Sequence, residues 1–135
     1  MLFRSDAVAH TDGRLATGAI ALCEAQGYAW RALTDTAVLA RTIWDDSGWA
    51  QELETVAARL KAEFRERFWM PDLDFPALAL DGQGQRVEVI ASNAGHLLFS
   101  GILDRRDAER VSARLMEPDM FSGWGLRTLS TEAAR

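Results

Sequence analysis

A chain of 135 residues has the length of a single domain, and 48% hydrophobic with 26% charged residues is the composition of a folded globular protein, neither disordered nor fibrous. Twenty acidic residues against fifteen basic ones leave a formal net charge of -5, which argues against a nucleic-acid partner. No apolar stretch is long enough to span a bilayer, the opening MLFRSDAVAH lacks a signal-peptide pattern, and the single Cys23 permits no internal disulfide, so a cytoplasmic protein without a membrane partner is expected.

The first strong periodicity runs from about Ile20 to Trp44, where Leu22, Ala25, Ala29, Leu33, Ala40 and Ile43 recur at helical steps and predict one apolar face. Asp45, Asp46, Ser47 and Gly48 then read as a polar turn. A second helix is predicted from Ser47 to Trp69, with Trp49, Leu53, Val56, Ala57, Leu60, Phe64 and Phe68 on its inner face and Pro71 as its stop. Two long helices across a short turn make an antiparallel pair.

Between Phe75 and Ile90 the period changes. FPALALDGQGQRVEVI carries apolar runs on both sides of an Asp-Gly-Gln-Gly turn, the pattern of a small hairpin. Helix is predicted again after Ser92, a capping residue type, through Ala94, Leu97, Leu98 and Ile102, and once more from Asp104 to Met116, with Ala108, Val111 and Leu115 on one face. Pro118 closes this second pair, and residues 118–130 form a loop rich in glycine and aromatic side chains. There, FSGWGLRTLS sets Trp124 between Gly123 and Gly125. Glycine allows close backbone approach and unusual angles, so the indole either lies against a ligand or tucks back over the core.

Three blocks then point to a family: HTDGRLATGAIALCEAQGYAWRAL (His10 to Leu33), SNAGHLLFSGI (Ser92 to Ile102) and PDMFSGWGLRTLS (Pro118 to Ser130). In order and spacing the chain resembles the bacterial amylo-α-1,6-glucosidase, or glycogen debranching enzyme-like, glycosidases of the six-hairpin superfamily. The resemblance covers nearly all of the chain and a modest part of the family's catalytic domain. It implies an all-α fold of antiparallel helix pairs forming part of an (α/α)6 toroid with a small β-hairpin insertion, residues 1–135 being a fragment of that domain. It also implies a glycoside hydrolase acting on α-glucosidic links of glycogen-like or oligosaccharide substrates, with no metal or cofactor. Trehalase- or mannosidase-like members share the architecture and differ in the sugar.

Glycoside hydrolysis needs a proton donor and a second carboxylate on the opposite side of the sugar. The family's Trp-Lys-Asp-Ser motif, which carries the likely general acid, is replaced here by Met1-Leu2-Phe3-Arg4-Ser5, and its later Tyr-His-Asn-Gly-Ser-Val-Trp-Pro and Pro-Glu segments have no counterpart. The isolated chain is therefore expected to be inactive, and the remainder of its own catalytic domain is an expected partner beside the oligosaccharide or polysaccharide.

No residue is assigned as a catalyst. Glu24, in CEAQGYAW, is the candidate sugar-facing carboxylate or else a first-turn acid favoured by the helix dipole. Gln26 lies about 200° round an ideal helix from Glu24 and shares a ligand with it only if the helix starts late. Tyr28, one turn on, either holds Glu24 by a hydrogen bond or fills the core. Trp124 and Arg127 complete the expected substrate-binding set, the indole against a sugar face and the guanidinium paired with a carboxylate. Asn93 and His96 read as structural groups, and His10 as a turn residue able to line a cleft. A stand-alone helical protein-interaction module is the alternative from another class.

Overall fold

Two long helices carry the structure. The computed structural model describes residues 8–133. The segment compared with the family's general-acid motif, Met1 to Ser5, lies outside the described residues. Helix α1 spans Cys23–Thr42 and α2 spans Ser47–Phe68, packed as the antiparallel pair expected from the sequence. α1 starts three residues later than its periodicity suggests because Ala21–Leu22 is drawn into an extended strand, β1, leaving Leu22 as an extended N-cap. α2 is capped by Asp46, whose carboxylate accepts the Trp49 amide at 2.8 Å.

The buried stripe of α1 agrees with the predicted one at Ala40 and departs from it elsewhere. Cys23, Gly27, Ala37 and Ala40 are buried, whereas Ala25, Ala29 and Ile43 face outwards. On α2, Ala50, Ala57, Phe64 and Phe68 are buried, and Trp49 and Val56 are exposed. Both helices carry apolar residues on more than one side, so the period is right while the phase is set by the small residues that let the helices approach. Trp44 and Trp49 instead pack on each other outside the turn, ring centroids 5.6 Å apart.

After α2 the chain turns back on itself. β2 (Trp69–Met70) pairs antiparallel with β3 (Phe75–Pro76), and β4 (Ala79–Leu80) pairs with β5 (Arg86–Val87) in the predicted hairpin. The turn is held by Asp81, whose Oδ1 accepts the amides of Gln83 and Gln85 at 2.9 and 2.8 Å. β1 adds to the outer edge of β4, giving a three-stranded sheet in the order β1-β4-β5. The sheet thus ties the start of α1 to the hairpin, a pairing between distant segments that no local pattern announces.

A 3-10 turn, Ser92–Ala94, leads into α3 (Gly95–Ser100), and α4 follows at Arg105–Leu115. Neither Ser92 nor Asp104 caps a helix with its side chain; Asp104 pairs with Lys61 of α2 at 3.0 Å. The main core lies between these pieces, where Phe64 and Phe68 stack at 4.8 Å and Trp69, Phe75, Leu97, Ile102, Val111, Leu115 and Met120 close around them. Among the described residues, no helix is long and apolar enough to cross a membrane.

α3 crosses α1 at Gly27. A Cβ placed there would lie 2.8 Å from Ser100 Oγ and 3.0 Å from Leu97 Cδ2. Ser100 cannot yield freely, since its buried hydroxyl donates to the Leu97 carbonyl at 2.9 Å and accepts the Ile102 amide at 3.3 Å. Alanine would favour the helix by about 1 kcal/mol, but overpacking a core typically costs about 1–3 kcal/mol. Gly27→Ala is therefore expected to lower stability by a net ~0–2 kcal/mol, read as a fall of up to several degrees in the thermal midpoint by circular dichroism. A raised midpoint would show that α3 is free to move away.

Candidate functional site

The α1–α3 crossing brings four polar side chains into two rungs. Glu24 and Tyr28, one turn apart on α1, face Asn93 and His96, three residues apart on the turn into α3. The Asn93 amide donates to Glu24 Oε1 at 2.7 Å, and the Tyr28 hydroxyl hydrogen-bonds His96 Nδ1 at 2.8 Å. The Tyr28 and His96 rings meet edge to face at 5.7 Å. Glu24 and Asn93 are half-buried, while Tyr28 and His96 are exposed.

This corrects two expectations. Tyr28 neither plugs the core nor holds Glu24; it is 45% exposed and its partner is His96. Gln26 does not join Glu24, because α1 is regular helix from Cys23 onward; its amide donates to the Leu22 carbonyl at 3.3 Å instead. Asn93 and His96, read from sequence as structural, are the residues that meet Glu24 and Tyr28. Their three-residue spacing was visible, but that they oppose α1 was not.

Beside Glu24, Cys23 is 1% exposed and its thiol donates to Glu24 Oε2 at 3.5 Å. Burial pushes the Cys23 thiol well above its usual range, and the neighbouring carboxylate adds to the shift. Cys23 is thus an inert packing residue.

The second group is the loop of residues 118–130, anchored on Asp119. Arg114 of α4 clasps the Asp119 carboxylate with two bonds of 2.8 Å, and the Ser130 hydroxyl donates to the same carboxylate. The Arg114 guanidinium, followed by the Ser130 hydroxyl, holds Asp119 down at about 2 against an ordinary 3.8. Thr131 and Met120 complete the base, the Thr131 amide donating to the Asp119 carbonyl at 3.2 Å and the Arg127 amide to the Met120 carbonyl at 2.8 Å.

At the tip, Ser122 closes a tight turn: its hydroxyl donates to the Gly125 carbonyl at 2.9 Å and accepts the Gly125 amide at 3.2 Å. Gly123, at φ 89°, supplies the left-handed angle that turn needs. Trp124 projects from it 99% exposed, so the reading in which it tucks over the core is overturned. Among the described residues, Arg127 meets no carboxylate. Its guanidinium donates to the Pro118 carbonyl at 3.0 Å and helps close the loop.

Loop and rungs are joined through the backbone. Ala91 pairs antiparallel with Leu129, the Ser92 amide donates to the Thr128 carbonyl at 3.1 Å, and the Ser130 amide donates to the Ile90 carbonyl at 3.0 Å. Asn93 follows directly. Trp124 is four residues from Thr128, a reach of at most about 14 Å along the chain.

His10 sits apart, in a turn closed by Arg14 and 3.5 Å from the Asp81 carboxylate under the hairpin. A cavity of about 280 Å³ opens between α2 and α4, lined by Phe64, Arg65, Trp69, Ile102, Asp104 and Asp107 among others. Its charges are already paired, Arg65 with the buried Asp107 and Lys61 with Asp104, and none of its lining comes from the Glu24 rung or the Trp124 loop. Among the described residues, no group of three or more His, Cys, Asp or Glu side chains is arranged to hold a metal ion. Likewise, no hydrogen bond or ion pair among them joins Glu24 to a second carboxylate.

No protein-family model matches the sequence, and no curated protein matches it. Among solved structures the chain is similar to the neutral trehalase Nth1 from Saccharomyces cerevisiae, at 12% identity and a TM-score of 0.73 over 86% of this chain. The likeness shows the fold. The four helices and small antiparallel pairings are part of an (α/α)6 toroid, as expected from the sequence. The chain spans 22% of the length of that structure.

Two outcomes test these contacts. Asp119 has a lower folded than unfolded value, so it adds stability that is complete above 3.8 and lost as pH falls towards about 2. The urea stability of wild type should therefore fall more steeply over that window than that of Asp119→Asn; equal slopes would mean that the clasp contributes nothing. Cys23 should resist a thiol-reactive reagent in the native chain and react fully in denaturant, whereas rapid native labelling would contradict its burial.

Proposed function

We propose that this chain is a carbohydrate-binding portion of a glycosidase catalytic domain, acting on α-glucosidic links of glycogen-like substrates or oligosaccharides within a complete toroid. The observation that carries the reading is the fold likeness to a neutral trehalase. The three sequence blocks favour the debranching-like branch of the superfamily over a trehalase-like one. Trp124 supports a sugar-facing role, since an indole on a closed, anchored turn presents a flat apolar face to the carbon-hydrogen face of a glucose unit.

Glu24 is the carboxylate on the site side of α1. Held by Asn93, it is placed to bind or orient sugar, and hydrolysis needs a second carboxylate across the glycosidic bond. That group belongs, in this reading, to the rest of the domain. The exposed Leu98, Phe99 and Met116 on α3 and after α4 support the same partner, because neighbouring helix pairs of a toroid cover such faces.

Titration of the purified chain with maltooligosaccharides should shift tryptophan fluorescence, and Trp124→Ala should remove the shift. A shift that survives the substitution would place the sugar elsewhere; no shift at all would favour a protein-interaction module. With an activated α-glucoside the chain should show no turnover. Turnover that is lost on Glu24→Gln would mean that the chain contains both halves of the chemistry.

A further inference from the structure

The two rungs leave polar atoms unused. Asn93 gives one amide proton to Glu24, and among the described residues its Oδ1 has no partner. No buried side-chain oxygen or nitrogen among those residues lacks a hydrogen bond, so this unpaired atom is open to solvent. His96 spends Nδ1 on Tyr28, and its Nε2 is likewise without a partner among the described residues. The two free groups lie three residues apart on one turn, next to the carboxylate of Glu24 and the hydroxyl of Tyr28.

The mixture of donors and acceptors selects the ligand. A phosphate or carboxylate ligand would meet the negative charge of Glu24, with no arginine or lysine among the described residues paired to it. A hydroxyl fits throughout, because it donates and accepts at once. It donates to Glu24 or to Asn93 Oδ1 and accepts from the second Asn93 amide proton. It also suits His96 in either tautomer: when Nδ1 accepts from Tyr28, Nε2 donates outward, and when Nδ1 donates, Nε2 accepts. The rungs are one helical turn apart, about 5–6 Å, a span comparable to the width of one pyranose ring.

We propose that Asn93 and His96, positioned by Glu24 and Tyr28, form a hydroxyl-binding row that takes neighbouring hydroxyls of a sugar unit adjoining the unit stacked on Trp124. The proposal rests on the carbohydrate reading above. It adds two binding residues to it, and it makes Tyr28 a positioning residue that aims the imidazole rather than a contact in its own right. The strapping of residues 128–130 onto 90–92 keeps row and indole in register, so one short oligosaccharide bridges both.

The chain labels its own test. Asn93 is the sole asparagine, Tyr28 the sole tyrosine, and His10 the one other histidine, paired with Asp81 under the hairpin. The 15N-labelled chain of 135 residues is titrated with maltotriose while the Asn93 side-chain amide, the His96 ring nitrogens and the Trp124 indole are followed. The expected result is that all three move along one isotherm while His10 stays still. Asn93→Leu and His96→Phe should each weaken binding roughly 5-fold, the effect of one lost net hydrogen bond.

Tyr28→Phe should shrink the His96 response and leave that of Asn93, and a deoxy-maltotriose lacking the hydroxyl read by His96 should bind wild type and His96→Phe equally. Movement of Trp124 with Asn93 and His96 still would overturn the row while leaving the carbohydrate reading intact. Movement of Asn93 and His96 alone would support the row and remove Trp124 from the site, and silence from all three would overturn both. If a substitution unfolds the chain, the wild-type shifts decide by themselves.

Discussion

The missing side chain at Gly27 is the constraint on which the arrangement depends. Helix α1 has a bare spot at Gly27, between Glu24 and Tyr28, and α3 fills it with Ser100 and Leu97. Only at that separation do Asn93 and His96 reach the carboxylate and the phenol. A glycine in the middle of a helix is unfavourable by local propensity, and here the packing of a second helix compensates for it. The polar site therefore follows from an apolar fit beneath it.

The opposite boundary of the site is set by charge. Arg114, Asp119 and Ser130 form a compact clasp that holds both ends of the 118–130 loop, and the backbone pairing with residues 90–92 lays that loop beside the Asn93 turn. Rigidity at the base combines with full exposure at the tip. An indole left fully open to solvent exposes a large apolar surface that the isolated chain gains nothing from. The same pattern of exposure on α3 and past α4 fits a molecule whose outer faces meet further helices.

The division of labour between helices and strands also has a physical basis. The helices supply the bulk of the core, through Phe64, Phe68, Leu97, Val111 and Leu115. The strands are each two residues long, too short to stand alone, and act as staples: β1 on β4 fixes the start of α1, and β2 on β3 reverses the chain after α2. By taking Ala21 and Leu22 out of the helix, the first staple determines that Glu24 lies in the first turn of α1.

Much of this was legible in the residues themselves. Helical spacing, the polar turn at 45–48, the Asp-Gly-Gln-Gly hairpin and the proline stops all report local backbone preferences, and they placed the helix pairs and the hairpin within a few residues. Glu24 and Trp124 stood out for the same local reason, an acid early in a helix and an aromatic between glycines. The pairing of Tyr28 with His96 and of Glu24 with Asn93 was not legible, because each joins segments whose relative position depends on how helices pack, and the bond of Arg127 to the Pro118 carbonyl depends on how its own loop closes. Periodicity states that a helix has an apolar face but not which neighbour takes it when alanines line several sides; contact across 68 or 69 residues is decided by shape, and only the folded chain expresses shape.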